Sequence, residues 1–142
     1  MKLLLDNNVV LDILQNREPW AASGIQILRA IAAGQHVGCL TAKQIADLHF
    51  FARKMFKGEP QVDAKARQVV EKLLAIFVVL DTQAEDCHTA LGIHNGDFED
   101  AMLIAAAARM RLDCIVTRNP VHFPASPTPV YTPEAFVQAQ QL

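Results

Sequence analysis

Two short apolar runs, one near each end of the chain, end in the same way. Leu3-Leu4-Leu5 gives way to Asp6-Asn7-Asn8, and Cys114-Ile115-Val116 gives way to Thr117-Arg118-Asn119-Pro120. An apolar run without polar alternation fits a strand covered on both faces, and such strands belong to parallel sheets flanked by helices. Polar residues at the carboxyl ends of those strands stand where open α/β sheets bind ligands. Asp6 would then direct its carboxylate into a cleft. The alternative is a strand-to-helix turn built from good turn formers, with Asn8 capping a helix over 9–14 and Asp12 one turn further on. For 117–119 the alternative is a turn before Pro120; against it, Thr117 and Asn119 offer oxygens and Arg118 a charge for phosphate.

Between these runs the chain alternates helix and strand. A helix over 20–33 carries Ile27, Leu28 and Ile31 on one stripe and stops at Gly34. Val37-Gly38-Cys39-Leu40 reads as a strand, and Thr41 with Gln44 forms a capping box opening a helix striped by Ile45, Leu48, Ala52 and Met55. Asp47 sits at the edge of that stripe, either overlooking the strand ends or solvated near the helix start. After the break at Lys57-Gly58-Glu59-Pro60, a helix with Val69, Val70, Leu73 and Leu74 inward leads into a strand over 77–80. A helix over 84–92 places Cys87 and Leu91 inward, and Asn95-Gly96 turns the chain. Val130-Tyr131 adds an edge strand, and Thr132 caps a last helix reaching 142. This alternation predicts a three-layer α/β/α sandwich around a central, mostly parallel sheet, with 1–142 as a single domain.

Asp97-Phe98-Glu99-Asp100 packs three carboxylates into four residues before AMLIAAAARM, a helix apolar on nearly every face. Asp97 is placed to cap that helix, Asp100 projects from its first turn, and Glu99 faces solvent. Burying several carboxylates together is costly unless a cation neutralises them. A right-handed α/β topology could bring Asp6, Asp47, Asp100 and Asn119 to one edge of the sheet. Clustered oxygens select hard cations, Mg²⁺ or Mn²⁺, which activate water and stabilise charge on a phosphoryl group. The chemistry implied is phosphodiester hydrolysis.

Thirteen Lys and Arg against fifteen Asp and Glu give a net charge of −2, which excludes a globally basic nucleic-acid binder. Any nucleic-acid contact must therefore be local, with Arg118 best placed, followed by Arg53 and Lys54. Cys39, Cys87 and Cys114, odd in number and set among apolar neighbours, are expected to be buried free thiols in a reducing compartment. No apolar run reaches the roughly 18 residues of a membrane helix, and the chain opens without a signal-peptide pattern, so it reads as cytoplasmic.

LLLDNNVVLD, TAKQIADLHFFARK, DFEDAMLIAAAA and IVTRNPVHF, in that order, resemble the characteristic segments of PIN-domain ribonucleases, the family that includes VapC-like toxins of toxin–antitoxin modules. The resemblance implies a metal-dependent endoribonuclease with acids at Asp6, Asp47 and Asp100, Asn119 at the last position and Asp97 as helper. It also implies Mg²⁺ or Mn²⁺, an RNA substrate, a homodimer and a small antitoxin that inserts into the active-site groove. Asn7 stands where Thr or Ser is frequent, Asp47 where Glu is common, and Asn119 where Asp often serves. His122 precedes Phe123 where many relatives carry Asp, leaving phosphate binding, proton supply and a structural role open. His36, His49, His88 and His94 lack metal-like spacing and read as structural. Asn119 and the missing acid before Phe123 also favour a catalytically impaired PIN domain that binds RNA or a protein partner. A small-molecule phosphohydrolase would use the same acids, but the chain has no glycine-rich phosphate loop.

Overall fold

Leu3, Leu4 and Leu5 are fully buried because β1 (Lys2–Leu5) runs through the middle of the sheet. The computed structural model describes residues 1–124 and 126–142. After β1 come α1 (Asn7–Gln15), α2 (Ala21–Ala32), β2 (Val37–Thr41), α3 (Ala42–Met55), α4 (Val62–Ile76) and β3 (Val78–Leu80). The second half contains α5 (Ala84–Leu91), α6 (Phe98–Arg109), β4 (Cys114–Val116), a 3₁₀ turn (Pro120–His122), β5 (Val130–Tyr131) and α7 (Pro133–Gln140). The five strands are ordered β3-β2-β1-β4-β5, and every described pairing is parallel.

Side chains alternate across a strand, so neighbouring leucines of β1 serve opposite cores. Leu3 and Leu5 pack with Val9, Ile27, Leu48, Leu73 and Phe136, contributed by α1, α2, α3, α4 and α7. Leu4 packs on the other face with Ile104 and Ala107 of α6 and with Ile115. The result is the expected three-layer α/β/α sandwich. Burying each leucine contributes about 1.5–3 kcal/mol, which is why neither face tolerates a polar residue here. In register, Leu4 lies beside Cys39 on one side and Ile115 on the other, so β1, β2 and β4 end side by side.

Three local expectations are corrected. Asn8 does not cap α1; Asp6 occupies the N-cap position in extended conformation without a side-chain cap bond, and Asn8 lies inside the helix. Its amide instead donates to Asp6 Oδ2 at 2.8 Å, which ties down the carboxylate. Cys87 and Leu91 do not face inward: Cys87 is exposed, as is Leu91 at 68%, while Asp86 and Ala90 form the buried side of α5. The helix is turned that way because Asp86 pairs with Arg109 of α6, a partner 23 residues away. Leu74 is also exposed, leaving Leu73 to anchor α4. Cys39 and Cys114 are free and buried as expected.

The expected caps are present. Thr41 and Gln44 form the reciprocal capping box on α3, and Asp97 Oδ1 accepts the N–H groups of Glu99 and Asp100 at 2.9 and 3.2 Å. No described helix is long and apolar enough to cross a membrane.

Candidate metal centre

Asp6 is the first residue past β1, and its N–H still bonds Val116 O at 2.9 Å, extending the ladder by one step. That step carries the carboxylate to the carboxyl edge of the sheet. Oδ2 accepts from Thr117 Oγ1 at 2.7 Å and from Asn8 Nδ2 at 2.8 Å, leaving the residue 7% exposed. Burial pushes its pKa above the ordinary carboxylate value despite these hydrogen bonds.

Asp100 approaches the same point from the first turn of α6. Burial first, then the charges of Asp6 and Asp97, push its pKa up to about 6, while a hydrogen bond with His122 pulls the other way. The bond joins His122 Nδ1 to Asp100 Oδ2 at 2.9 Å. Asp97, Asp100 and His122 each offer a ligand atom, and the three atoms lie within 4.8 Å of one another.

The opposite wall comes from α3. Gln44, whose capping role is visible in the sequence, also anchors the helix. Its Nε2 donates to Leu5 O at 2.8 Å and Asn7 Oδ1 at 3.2 Å, fixing α3 to the end of β1. Asp47 projects from the next turn and lies 2.7 Å from Lys43 Nζ. Lys43 also reaches Glu99 at 2.6 Å, so one ammonium ties α3 to the start of α6. Glu99 remains largely solvent-facing, as expected, with its side chain 73% exposed.

Asp6, Asp47, Asp97, Asp100, Asn119 and His122 all line one cleft of about 270 Å³. Asn119 is exposed at its rim, held by its N–H to Thr117 Oγ1 at 3.1 Å. Arg118, Arg53 and Lys54 are not among the lining residues. Arg118 turns away to Asp12 Oδ1 at 3.2 Å and lies over the Trp20 ring at 4.5 Å. Arg53 pairs with Asp63 at 3.3 Å, and Lys54 covers Phe50 at 4.4 Å. The cations that do line the cleft are Lys43 and Arg17. Lys43 could have been singled out by its i,i+4 spacing to Asp47; Arg17 follows α1 and carries no local signal.

The donors suit a divalent cation. The charges of Asp6 and Asp97 crowd Asp100 closely enough to help raise its pKa, and a hard cation supplies the positive charge that would offset them.

A parallel α/β/α sandwich with carboxylates from separate segments gathered at its carboxyl edge defines a class of protein built around an acidic cleft. Within that class the chain belongs to the PIN-domain family, a nuclease-related family whose profile matches residues 2–120. No curated protein sequence matches the chain. Among solved structures, a chain of FitAcB from Neisseria gonorrhoeae is similar at 20% identity and a TM-score of 0.68, covering 93% of this chain and 98% of that one. A toxin–antitoxin complex from Klebsiella pneumoniae gives 19% identity and a TM-score of 0.66, covering 92% and 97%. VapBC2 from Rickettsia felis, solved bound to a promoter DNA fragment, gives 14% identity and 0.65, covering 93% and 98%. At these identities the likeness is one of fold.

Proposed function

We propose that the chain is a divalent-cation-dependent endoribonuclease and the toxin of a toxin–antitoxin pair. The observation that carries this reading is the crowding of Asp97, Asp100 and His122 beside buried Asp6, on a fold whose solved relatives include toxin–antitoxin complexes. Asp6, Asp97 and Asp100 would hold the cation, with Asp47 available across the cleft. A divalent cation bound there supplies positive charge at the scissile phosphate and makes water a better nucleophile. Hydrolysis joins a water oxygen to phosphorus and expels one ribose oxygen. Thr117 and Asn8 keep Asp6 aimed, and the α6 cap keeps Asp100 aimed.

RNA as substrate rests on the family resemblance, as does the antitoxin, a small protein occupying the groove. Exposed Val78 and Val79 on edge strand β3 support an assembled state, which we propose to be a homodimer. Arg118, adjacent to Asn119, together with Arg53 and Lys54 on α3, is proposed to contact RNA flanking the cleft. Arg118→Ala should then weaken RNA binding and flatten the salt dependence by about one unit of slope. An unchanged slope would assign Arg118 to Asp12 and Trp20 alone.

A second reading is a PIN domain that binds RNA or a protein without cutting. It is favoured by neutral Asn119 and by the Lys43 ammonium against Asp47. Both readings meet in one experiment, cleavage of a mixed structured and single-stranded RNA pool with and without Mn²⁺. The wild type should cleave only with cation, and Asp6→Ala and Asp100→Ala should each lose at least about 100-fold. A folded, cation-binding wild type that leaves every RNA intact would transfer the assignment to the binding module.

A further inference from the structure

The cleft holds an imidazole among its carboxylates, and the placement of that ring is built rather than incidental. Asn95 donates from Nδ2 to His122 O at 2.8 Å and accepts the Asp97 N–H on Oδ1 at 3.2 Å. One side chain therefore fixes the 3₁₀ turn against the start of α6. The turn is closed by the His122 N–H to Asn119 O at 3.0 Å, and the next residue, Phe123, is buried at 3% exposure. Through these contacts Nδ1 arrives 2.9 Å from Asp100 Oδ2.

We propose that His122 is itself a ligand of the cation, and that the resulting nitrogen-and-oxygen donor set makes this centre prefer Mn²⁺ to Mg²⁺. The inference rests on the cation-dependent reading above and deepens it. Ligand bonds of about 2.0–2.2 Å put neighbouring donors about 3 Å apart and opposite ones about 4.3 Å apart. His122 Nδ1 and Asp100 Oδ2 already stand at the neighbouring-donor spacing, 2.9 Å apart, and the atom offered by Asp97 lies within 4.8 Å of both, a short adjustment from it. Asn95 has the place of an outer partner that orients ligands, holding the backbone of two of them.

The choice of ion follows from the donors. Mg²⁺ takes oxygen and sheds water reluctantly, so replacing a carboxylate by imidazole removes charge without adding a ligand that Mg²⁺ favours. Transition ions accept imidazole nitrogen more readily than Mg²⁺ does, and Mn²⁺ also suits carboxylate oxygen and water. The protein thereby gains selectivity from a single residue on a short turn.

The test uses the full chain, stripped by chelator and titrated calorimetrically with MnCl₂ and, separately, MgCl₂ near neutral pH. Pulsed electron paramagnetic resonance of the Mn²⁺-loaded protein then reads directly coordinated nitrogen. The wild type is expected to show nitrogen coupling and to bind Mn²⁺ at least about 100-fold more tightly than Mg²⁺. His122→Ala should lose the coupling and weaken Mn²⁺ by about 10–100-fold. His122→Asp should lose the coupling and narrow the Mn²⁺/Mg²⁺ ratio by at least about tenfold. Mn²⁺ bound without nitrogen coupling in the wild type would overturn the inference while leaving the cation-dependent reading standing, with His122 merely hydrogen-bonded to Asp100. A wild type that binds neither ion would overturn both. Because the nitrogen signal is read on unsubstituted protein, the outcome does not depend on a variant folding.

Discussion

Stripped of divalent cation at pH 7, the Asp100→Asn variant is expected to melt about 5–10 °C above the wild type. The reason is that the wild-type carboxyl is held at about 6 in the folded chain against an ordinary value of 3.8. The folded state therefore binds its proton more tightly, and stability that is fully present below pH 3.8 is lost as pH rises through about 6. By neutral pH the loss is about 3 kcal/mol, the free-energy equivalent of that displacement. Asparagine carries no charge to lose and still accepts the hydrogen bond from His122. Melting curves from pH 4 to pH 7 in chelator should accordingly fall more steeply for the wild type than for the variant.

Adding Mn²⁺ reverses the order. The wild type should gain about 4.1 kcal/mol at a concentration about one thousand times its dissociation constant, more than the deficit, and the variant much less. A site organised for a cation is thus a weak point without one. If Asp100→Asn melts at or below the wild type in chelator, neither burial nor the charges of Asp6 and Asp97 destabilise the folded protein through the Asp100 carboxylate.

How far such a site shows in the sequence depends on how local its causes are. The buried strands are readable from Leu3-Leu4-Leu5 and Cys114-Ile115-Val116 because losing polar alternation is a property of adjacent residues. The Asp97 cap and the Thr41–Gln44 box are readable because caps act over three residues. Arg118 is not, since its partner Asp12 lies 106 residues away and its other neighbour is the Trp20 ring. Nor is the orientation of α5, whose apolar Cys87 and Leu91 point outward. Pattern reading assumes that apolar residues decide which face is buried. In α5 a carboxylate decides it, through a pairing that only the fold creates. His122 falls between these cases: its type and position are visible, but its distance to Asp100 is set by Asn95 and the 3₁₀ turn.

That pairing in α5 carries the other large effect. Asp86 is 1% exposed and receives Arg109 Nε at 2.7 Å and Nη2 at 2.9 Å. Arg109 Nη2 also donates to Asp81 O at 2.7 Å, and the N–H of Gln83 donates to Asp86 at 2.9 Å. Burial alone would raise the Asp86 pKa, but the guanidinium and the Gln83 N–H outweigh it and hold the carboxyl below its ordinary value. Replacing Arg109 by Met strands a buried charge and should destabilise the protein by about 3–5 kcal/mol at neutral pH. With a depressed folded pKa, the stability from Asp86 is present above 3.8 and lost as pH falls through the folded value. In Arg109→Met the stranded carboxyl can protonate instead, so the gap from the wild type should narrow on acidification. The double variant Arg109→Met with Asp86→Leu should recover most of the loss, because two apolar side chains can replace a buried pair at little net cost. Equal instability of single and double variants would mean that the pair contributes through the shape of the α5–α6 contact rather than through its charge. Since Arg109 lies at the far end of α6 from Asp100, Mn²⁺ affinity per folded molecule should stay within about threefold of the wild type, a difference under about 1 kcal/mol. A larger drop would show that α5 holds the metal-facing end of α6 as well as its base.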